Sequence, residues 1–225
     1  VIGAQLPLAV QLRESASFDS FHPGPNAEAV AALQDLAAPV LLYGPPASGR
    51  THLLQACARR HAGSPPARYL PLADLAEAGI EVLQGIEDAG LLCLDDIDTV
   101  TADRRWCLAL LRVIDGQRTR GTPFLISALA PPERMEIALP DLRTRLGACN
   151  RFGLRPLADE DRQQLLAQRA RARGLQMPEE VSRWLLNTQT RDTGSLIEAL
   201  EKLDRAALSA KRRLTLPFVQ SVLAE

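Results

Sequence analysis

The stretch Leu41-Leu42-Tyr43-Gly44-Pro45-Pro46-Ala47-Ser48-Gly49-Arg50-Thr51-His52-Leu53-Leu54 limits what this chain can fold into more than any other. It reads as an apolar strand, a glycine-bounded loop and the first turn of a helix, which is the setting a phosphate-binding P-loop requires. Gly44 and Gly49 bracket the loop, because backbone N–H groups converge on phosphate oxygens only where no side chain blocks the approach. The helix starting near Arg50 adds the positive end of its dipole. Thr51 stands where a hydroxyl would ligate Mg²⁺, and Arg50 fills the cation position where lysine is usual. A planar guanidinium does not substitute freely for a compact ammonium wedged between phosphates, so binding and hydrolysis are separate expectations. Taken alone, the same residues also suit a plain turn between a buried strand and a helix.

A second stretch decides against that plain reading. Leu91-Leu92-Cys93-Leu94-Asp95-Asp96-Ile97-Asp98 is an apolar run that ends in carboxylates. A fully buried strand tolerates no charge inside, so acids at its C-terminal end belong at the sheet crevice, where ligands bind in open α/β folds. Asp95 is then expected to hold Mg²⁺ through water and Asp96 to orient a nucleophilic water. The same pair would also serve as a helix N-cap with a solvated neighbour. The P-loop upstream favours the metal-and-water reading.

Around these anchors the chain alternates strand and helix. Expected are a helix from about Asn26, a possible N-cap, to Leu36; a strand over 39–43; a helix to about His61; a short strand at 68–70; and helical pieces within 72–86 broken at Gly79. An amphipathic helix over 103–120, a strand over 123–127, a helix opening at Leu139-Pro140 and a last strand at 151–154 follow. After Pro156 the strand signals stop, leaving helices at about 159–173, 178–187, 192–210 and 215–223 and a domain boundary near Pro156. The basic runs at 169–173 and 211–213 read as solvated helix faces.

Residues 1–17 show no helical or strand period, yet contain Gln5-Leu6-Pro7-Leu8-Ala9-Val10. Pro7 favours an extended backbone at Leu6, so Leu6, Leu8 and Val10 should be exposed on a tail. They either fold back on their own domain or form a linear motif for a partner's apolar groove, with Gln5 as the polar contact.

Composition narrows the partners. A net charge of −1 gives bulk electrostatics no reason to drive nucleic-acid or membrane binding. Cys57, Cys93, Cys107 and Cys149 are scattered without metal-ligand spacing, and read as buried small hydrophobes in a reducing cytosol. No apolar run approaches a membrane span.

In this order the elements resemble an AAA+ module, and within it the DnaA-related family, most closely its shortened Hda branch of DnaA regulatory inactivators. The resemblance is carried by Gln5 to Val10, Phe18-Asp19-Ser20-Phe21, Gly49 to Leu54, Leu139-Pro140-Asp141-Leu142 with Arg145-Leu146, Leu157 to Asp161, and Leu214 to Val219. It implies an α/β P-loop core with a parallel sheet flanked by helices over 18–156, plus an all-helical lid over 157–225. It also implies an ADP or ATP site formed by Phe18, Phe21, Gly44, Pro45, Pro46, Ala47, Ser48, Gly49, Arg50, Thr51 and His52, with Mg²⁺ at Thr51 and Asp95. Arg145 matches the arginine finger, which would act in trans on a neighbour's nucleotide, while Asp96 is the acid of the chain's own site; Arg143, two residues before Arg145, is a rival finger. Gln5, Leu6, Leu8 and Val10 match a hexapeptide for the β sliding clamp of DNA polymerase III. DnaA is the implied partner, DNA is reached only through the clamp, and no membrane is involved; monomer and homo-oligomer both stay open.

Two positions depart from the family pattern. Leu129 stands where an acidic sensor is usual, leaving Ser127 as the nearest polar group, and Gly194 stands where the lid arginine is usual; Arg191, one helical turn upstream, is the candidate to reach the nucleotide phosphate in its place, or else pairs with Asp192 or Glu198 on the surface. The sequence also stops where DnaA continues into a helix-turn-helix domain, so direct sequence-specific DNA binding is not expected. The expected role is a nucleotide-binding regulator with weak or no hydrolysis of its own. An autonomous ATPase of the helicase-loader kind and a small-molecule phosphotransferase are the alternatives.

Overall fold

The computed structural model describes residue 12 and residues 16–61, 63–188, 193–210 and 212–224. The described chain packs into two units, one formed by Asn26–Leu154 with the preceding residues up to Phe21, the other by His22–Pro25 with the chain from Arg155 onward.

In the first unit the elements run α1 (Ala27–Asp35), β1 (Val40–Tyr43), α2 (Arg50–Arg60), β2 (Ala67–Pro71), α3 (Leu72–Leu75), β3 (Leu91–Asp95), α4 (Arg104–Arg120), β4 (Phe124–Ala128), α5 (Pro140–Gly147) and β5 (Asn150–Gly153). The five strands form one parallel sheet in the order β2-β3-β4-β1-β5. β3 and β4 are buried at every residue, as strands covered on both faces must be. Alternate side chains feed separate cores. Leu41, Leu92, Leu94, Phe124 and Ile126 pack in a cluster with Trp106, Leu110 and Ile114 of α4 and Leu142 and Leu146 of α5. Val40, Leu42, Leu91, Cys93 and Leu125 pack in another with Val30 and Leu33 of α1 and Leu53, Leu54 and Cys57 of α2.

Local chemistry sets the ends of α4. The Asp103 carboxylate accepts the Arg105 N–H at 2.6 Å, and Gly121 closes the helix in the left-handed region at φ 67°. Asn26 does precede α1, but its side chain makes no capping hydrogen bond. The piece expected over 72–86 is α3 followed by single 3₁₀ turns at Ala76–Ala78 and Ile80–Leu83, parted by Gly79 at φ 83°.

The second unit holds α6 (Asp159–Ala172), α7 (Glu179–Thr188), α8 (Thr193–Ala210) and α9 (Leu216–Leu223) around Leu166, Val181, Leu185, Leu196, Leu200, Leu203 and Val219. The chain leaves the first unit at Leu154, two residues before the expected break, and the short piece His22–Pro25 belongs to this second unit. There His22 Nε2 lies 3.5 Å from Asp161 Oδ1. Gly24, at φ 45°, comes so close to Leu157 that a Cβ would fall 2.8 Å from its Cδ2. The basic run at 169–173 is a solvated face only at Arg171, which is exposed. Arg169 is buried, and Arg173 pairs with Glu201 at 3.2 Å and Asp204 at 3.6 Å on α8.

Candidate nucleotide and arginine-finger sites

Strand register brings the two sequence anchors to one edge of the sheet. β4 lies between β1 and β3, with Tyr43 level with Ala128 and Leu94 level with Ile126, so the loop at Gly44 and the acids at Asp95 flank the end of β4. The Gly44 N–H donates to the Ala128 carbonyl at 3.2 Å, and the Leu154 N–H to the Tyr43 carbonyl at 2.7 Å.

The loop has the form of an anion cradle. A Cβ at Gly44 would fall 2.7 Å from the Leu154 carbonyl oxygen, so only glycine fits that close approach. Ala47 and Gly49 both take positive φ, 60° and 97°. Gly49 caps α2 without a side chain, which leaves the first-turn N–H groups for a ligand. Ser48 is buried, and its Oγ has no hydrogen-bond partner among the described residues. A glycine cradle, uncapped N–H groups and an orphaned hydroxyl together fit phosphate oxygens. Thr51 follows as the second residue of α2 and is half-buried.

The cation of the loop faces the acids. Arg50 is only 8% exposed, and its Nη1 pairs with Asp96 Oδ1 at 3.0 Å, although the two atoms are not aligned as a hydrogen bond. Asp96 sits in the left-handed region at φ 53°, ψ 52°, and its N–H donates to Ser127 Oγ at 2.8 Å. Burial, reinforced by the Asp95 charge, raises the Asp96 carboxyl above the ordinary range, and the Arg50 guanidinium opposes that rise. Asp95 is 2% exposed: one oxygen accepts the Tyr69 hydroxyl at 2.6 Å and the other accepts the Ser127 hydroxyl. Burial and this carboxylate push the Tyr69 phenol well up. Ser127, the nearest polar group to the missing sensor, thus spends its hydroxyl on both acids. Leu129 is 48% exposed and contributes only its N–H, to Asp98 Oδ1 at 3.0 Å. Among the described residues no group of three or more His, Cys, Asp or Glu is placed to hold a metal ion by itself. A divalent ion here would lean on phosphate oxygens, as Mg²⁺ commonly does.

The two aromatic residues preceding α1 separate. Phe21 packs on Gly49, where a Cβ would fall 2.6 Å from its Cε2, and its ring lies 5.4 Å from that of His52. His52 Nε2 is 2.9 Å from the Ser17 carbonyl, an acceptor only, so that nitrogen carries the proton. The structure does not bring Phe18 to the loop. Its ring lies 5.6 Å from the Arg60 guanidinium, ten residues and about 15 Å along α2 from Arg50. A hollow of about 370 Å³ opens beside Phe18 and Arg60, away from the loop.

On α5 the two candidate arginines part company. Arg143 is tied down: Nη1 donates to the Pro132 carbonyl and Nη2 to the Met135 carbonyl at 3.1 Å. Arg145 is 43% exposed and donates from Nε to Asp115 Oδ1 at 2.6 Å. Sequence reasoning did not find Tyr69, Leu154 or Asp115, since none carries a motif and each reaches its partner across the fold. Arg191, Gln5, Leu6, Leu8, Val10 and Lys211 lie outside the described residues; Gly194 is the second residue of α8.

The parallel sheet, the loop after β1, the acids after β3 and a helical second unit define an AAA+ P-loop module. The chain has TM-score 0.78 and 20% identity to domain III of the Thermotoga maritima replication initiation protein DnaA, covering 95% of this chain and 98% of that one. AMPPCP-bound DnaA from Aquifex aeolicus matches with TM-score 0.72 at 19% identity, over 89% of this chain and 69% of that one. The Thermotoga maritima RuvB Holliday junction branch migration motor matches with TM-score 0.65 at 17% identity, over 95% and 73%. Residues 159–223 match the family model described as Hda, lid domain. The chain thus has a DnaA-like AAA+ fold, and its second unit matches the lid domain of Hda. No helix among the described residues is long and apolar enough to cross a membrane.

Proposed function

We propose that this chain binds ADP or ATP mainly to fix its own conformation and acts on DnaA, supplying Arg145 in trans to the ATP site of DnaA while Gln5, Leu6, Leu8 and Val10 dock on the DNA-loaded β sliding clamp. The conversion of ATP-DnaA to ADP-DnaA would then suppress re-initiation. One contrast supports this reading. The cation of the chain's own loop, Arg50, is paired at 3.0 Å with Asp96, the acid that would orient its own water. Arg145 stands on the surface instead.

Within the chain's own site, Gly44 to Thr51 would hold the phosphates through backbone N–H groups and the Ser48 hydroxyl, with Phe21 and His52 beside Gly49. Thr51, and Asp95 through water, would hold magnesium, which would supply charge neutralisation at the phosphates. Asp96 is the nearest group to take a proton from a water, yet its carboxylate neutralises Arg50 and its backbone is pinned by Ser127. That arrangement favours binding over turnover. At the partner's site the Arg145 guanidinium would offset the negative charge that spreads over the transferred phosphoryl group, the usual role of an arginine finger.

The test is DnaA-dependent ATP hydrolysis on clamp-loaded DNA with wild-type protein and with Arg145→Ala, clamp binding being measured separately. A finger loss is expected to lower stimulation by about 10³-fold or more. Normal stimulation by an Arg145→Ala protein that still binds the clamp would refute the proposal. Brisk ATP turnover by the isolated chain would favour the autonomous ATPase instead.

A further inference from the structure

Resting on the reading of Arg145 as a finger, we propose that Asp115 of α4 is its positioning residue: it grips the guanidinium by its inner nitrogen and presents the outer fork to the partner's phosphate. A guanidinium carries five N–H donors, one on Nε and two on each Nη. Asp115 takes the Nε proton through Oδ1 at 2.6 Å. Among the described residues neither Arg145 Nη atom makes a hydrogen bond. A bidentate clasp on the outer nitrogens would have spent the edge that binds phosphate; a contact at Nε leaves that edge whole.

Position supports the same role. Asp115 reaches Arg145 from a different helix, so the finger is held from outside its own turn. Asp141, one turn before Arg145, adds attraction to the guanidinium charge but forms no bond to it among the described residues. On α4 the exposed arginines Arg104, Arg105, Arg112, Arg118 and Arg120 have no ion-pair partner among the described residues, and Asp115 is the one acid within the helix. The carboxylate therefore selects Arg145 in an otherwise basic neighbourhood. An arginine side chain free to explore its rotamers would spend little of its time aimed at a phosphate, and orientation of this kind acts on the rate step.

The experiment measures stimulated DnaA ATP hydrolysis against concentration of the full chain, for wild type, Asp115→Ala, Asp115→Asn and Arg145→Ala. Asp115→Ala is expected to lower the maximal stimulated rate about 10-fold with the half-stimulating concentration changed less than about 2-fold. Asp115→Asn, which keeps an acceptor oxygen for Nε, should recover to within about 3-fold of wild type. Both variants should keep the wild-type unfolding midpoint, because an exposed pair adds little to stability. The proposal is overturned if Asp115→Ala stimulates as well as wild type or better, if its defect lies only in the half-stimulating concentration, or if Asn is no better than Ala. If Arg145→Ala itself stimulates normally, the finger reading fails instead, which separates the two results.

Discussion

Ser127→Ala should be among the most damaging single-atom deletions in the first unit. The residue is fully buried at the end of β4, and its one hydroxyl both donates to Asp95 and accepts the Asp96 N–H at 2.8 Å. Losing the donation removes a hydrogen bond to a buried carboxylate, worth about 1.5–3 kcal/mol, and losing the acceptance strands a backbone donor at a further cost of about 1–3 kcal/mol. A total of about 2.5–6 kcal/mol, at about 2–4 °C per kcal/mol for a unit of this size, lowers the unfolding midpoint by about 5–24 °C. The left-handed conformation of Asp96, which Ser127 helps to hold, would relax with it. Tyr69→Phe makes the comparison, since it leaves the Ser127 hydroxyl in place, removes the 2.6 Å bond to the other Asp95 oxygen together with the contact of the same hydroxyl with Gln55, and should cost about 2 kcal/mol. Urea unfolding of both variants, followed through a probe in the first unit, gives the comparison. A cost below about 1 kcal/mol for Ser127→Ala, or one smaller than that of Tyr69→Phe, would refute the view that this hydroxyl joins the two acids.

Three further outcomes follow from the geometry. Arg143→Ala should destabilise the protein by about 2–4 kcal/mol, because it strands the Pro132 and Met135 carbonyls, whereas Arg145→Ala should leave the unfolding midpoint unchanged; thermal unfolding of the pair checks this. Gly49→Ala should lose at least about 1–2 kcal/mol to its positive φ, and more to the Phe21 ring; pairing it with Phe21→Ala should relieve only the second part in a double-mutant cycle. Burial pushes the Cys57 thiol up to about 12 and Cys149 to about 11, from an ordinary value of 9.0. The folded state keeps these protons where the unfolded state loses them, so the stabilisation is whole below pH 9 and drains as pH rises towards 11 and 12. The expected slope is about 1.4 kcal/mol per pH unit for each thiol. Urea midpoints across pH 8–11 measure it, and at pH 8 a thiol reagent should label the cysteines only after unfolding.

The sequence alone determined the plan of the molecule because its signals are local. An apolar strand, a glycine-bounded loop and a helix start lie within Leu41 to Leu54, and burial of β1 and β3 could be read from their unbroken apolar runs. The lid helices were likewise legible from their spacing, and their ends shift by only one residue in the structure. What the tertiary structure decided are pairings between residues far apart in the chain: Arg50 with Asp96, Tyr69 and Ser127 with Asp95, Arg145 with Asp115, and His22–Pro25 with the second unit. Arg143 and Arg145 look alike in sequence, and only their surroundings make one a brace for two carbonyls and the other an exposed cation. The physical reason is that backbone preference and apolar periodicity act over a few residues. A charge or hydroxyl is assigned its role by whichever partner the sheet register brings within about 3 Å.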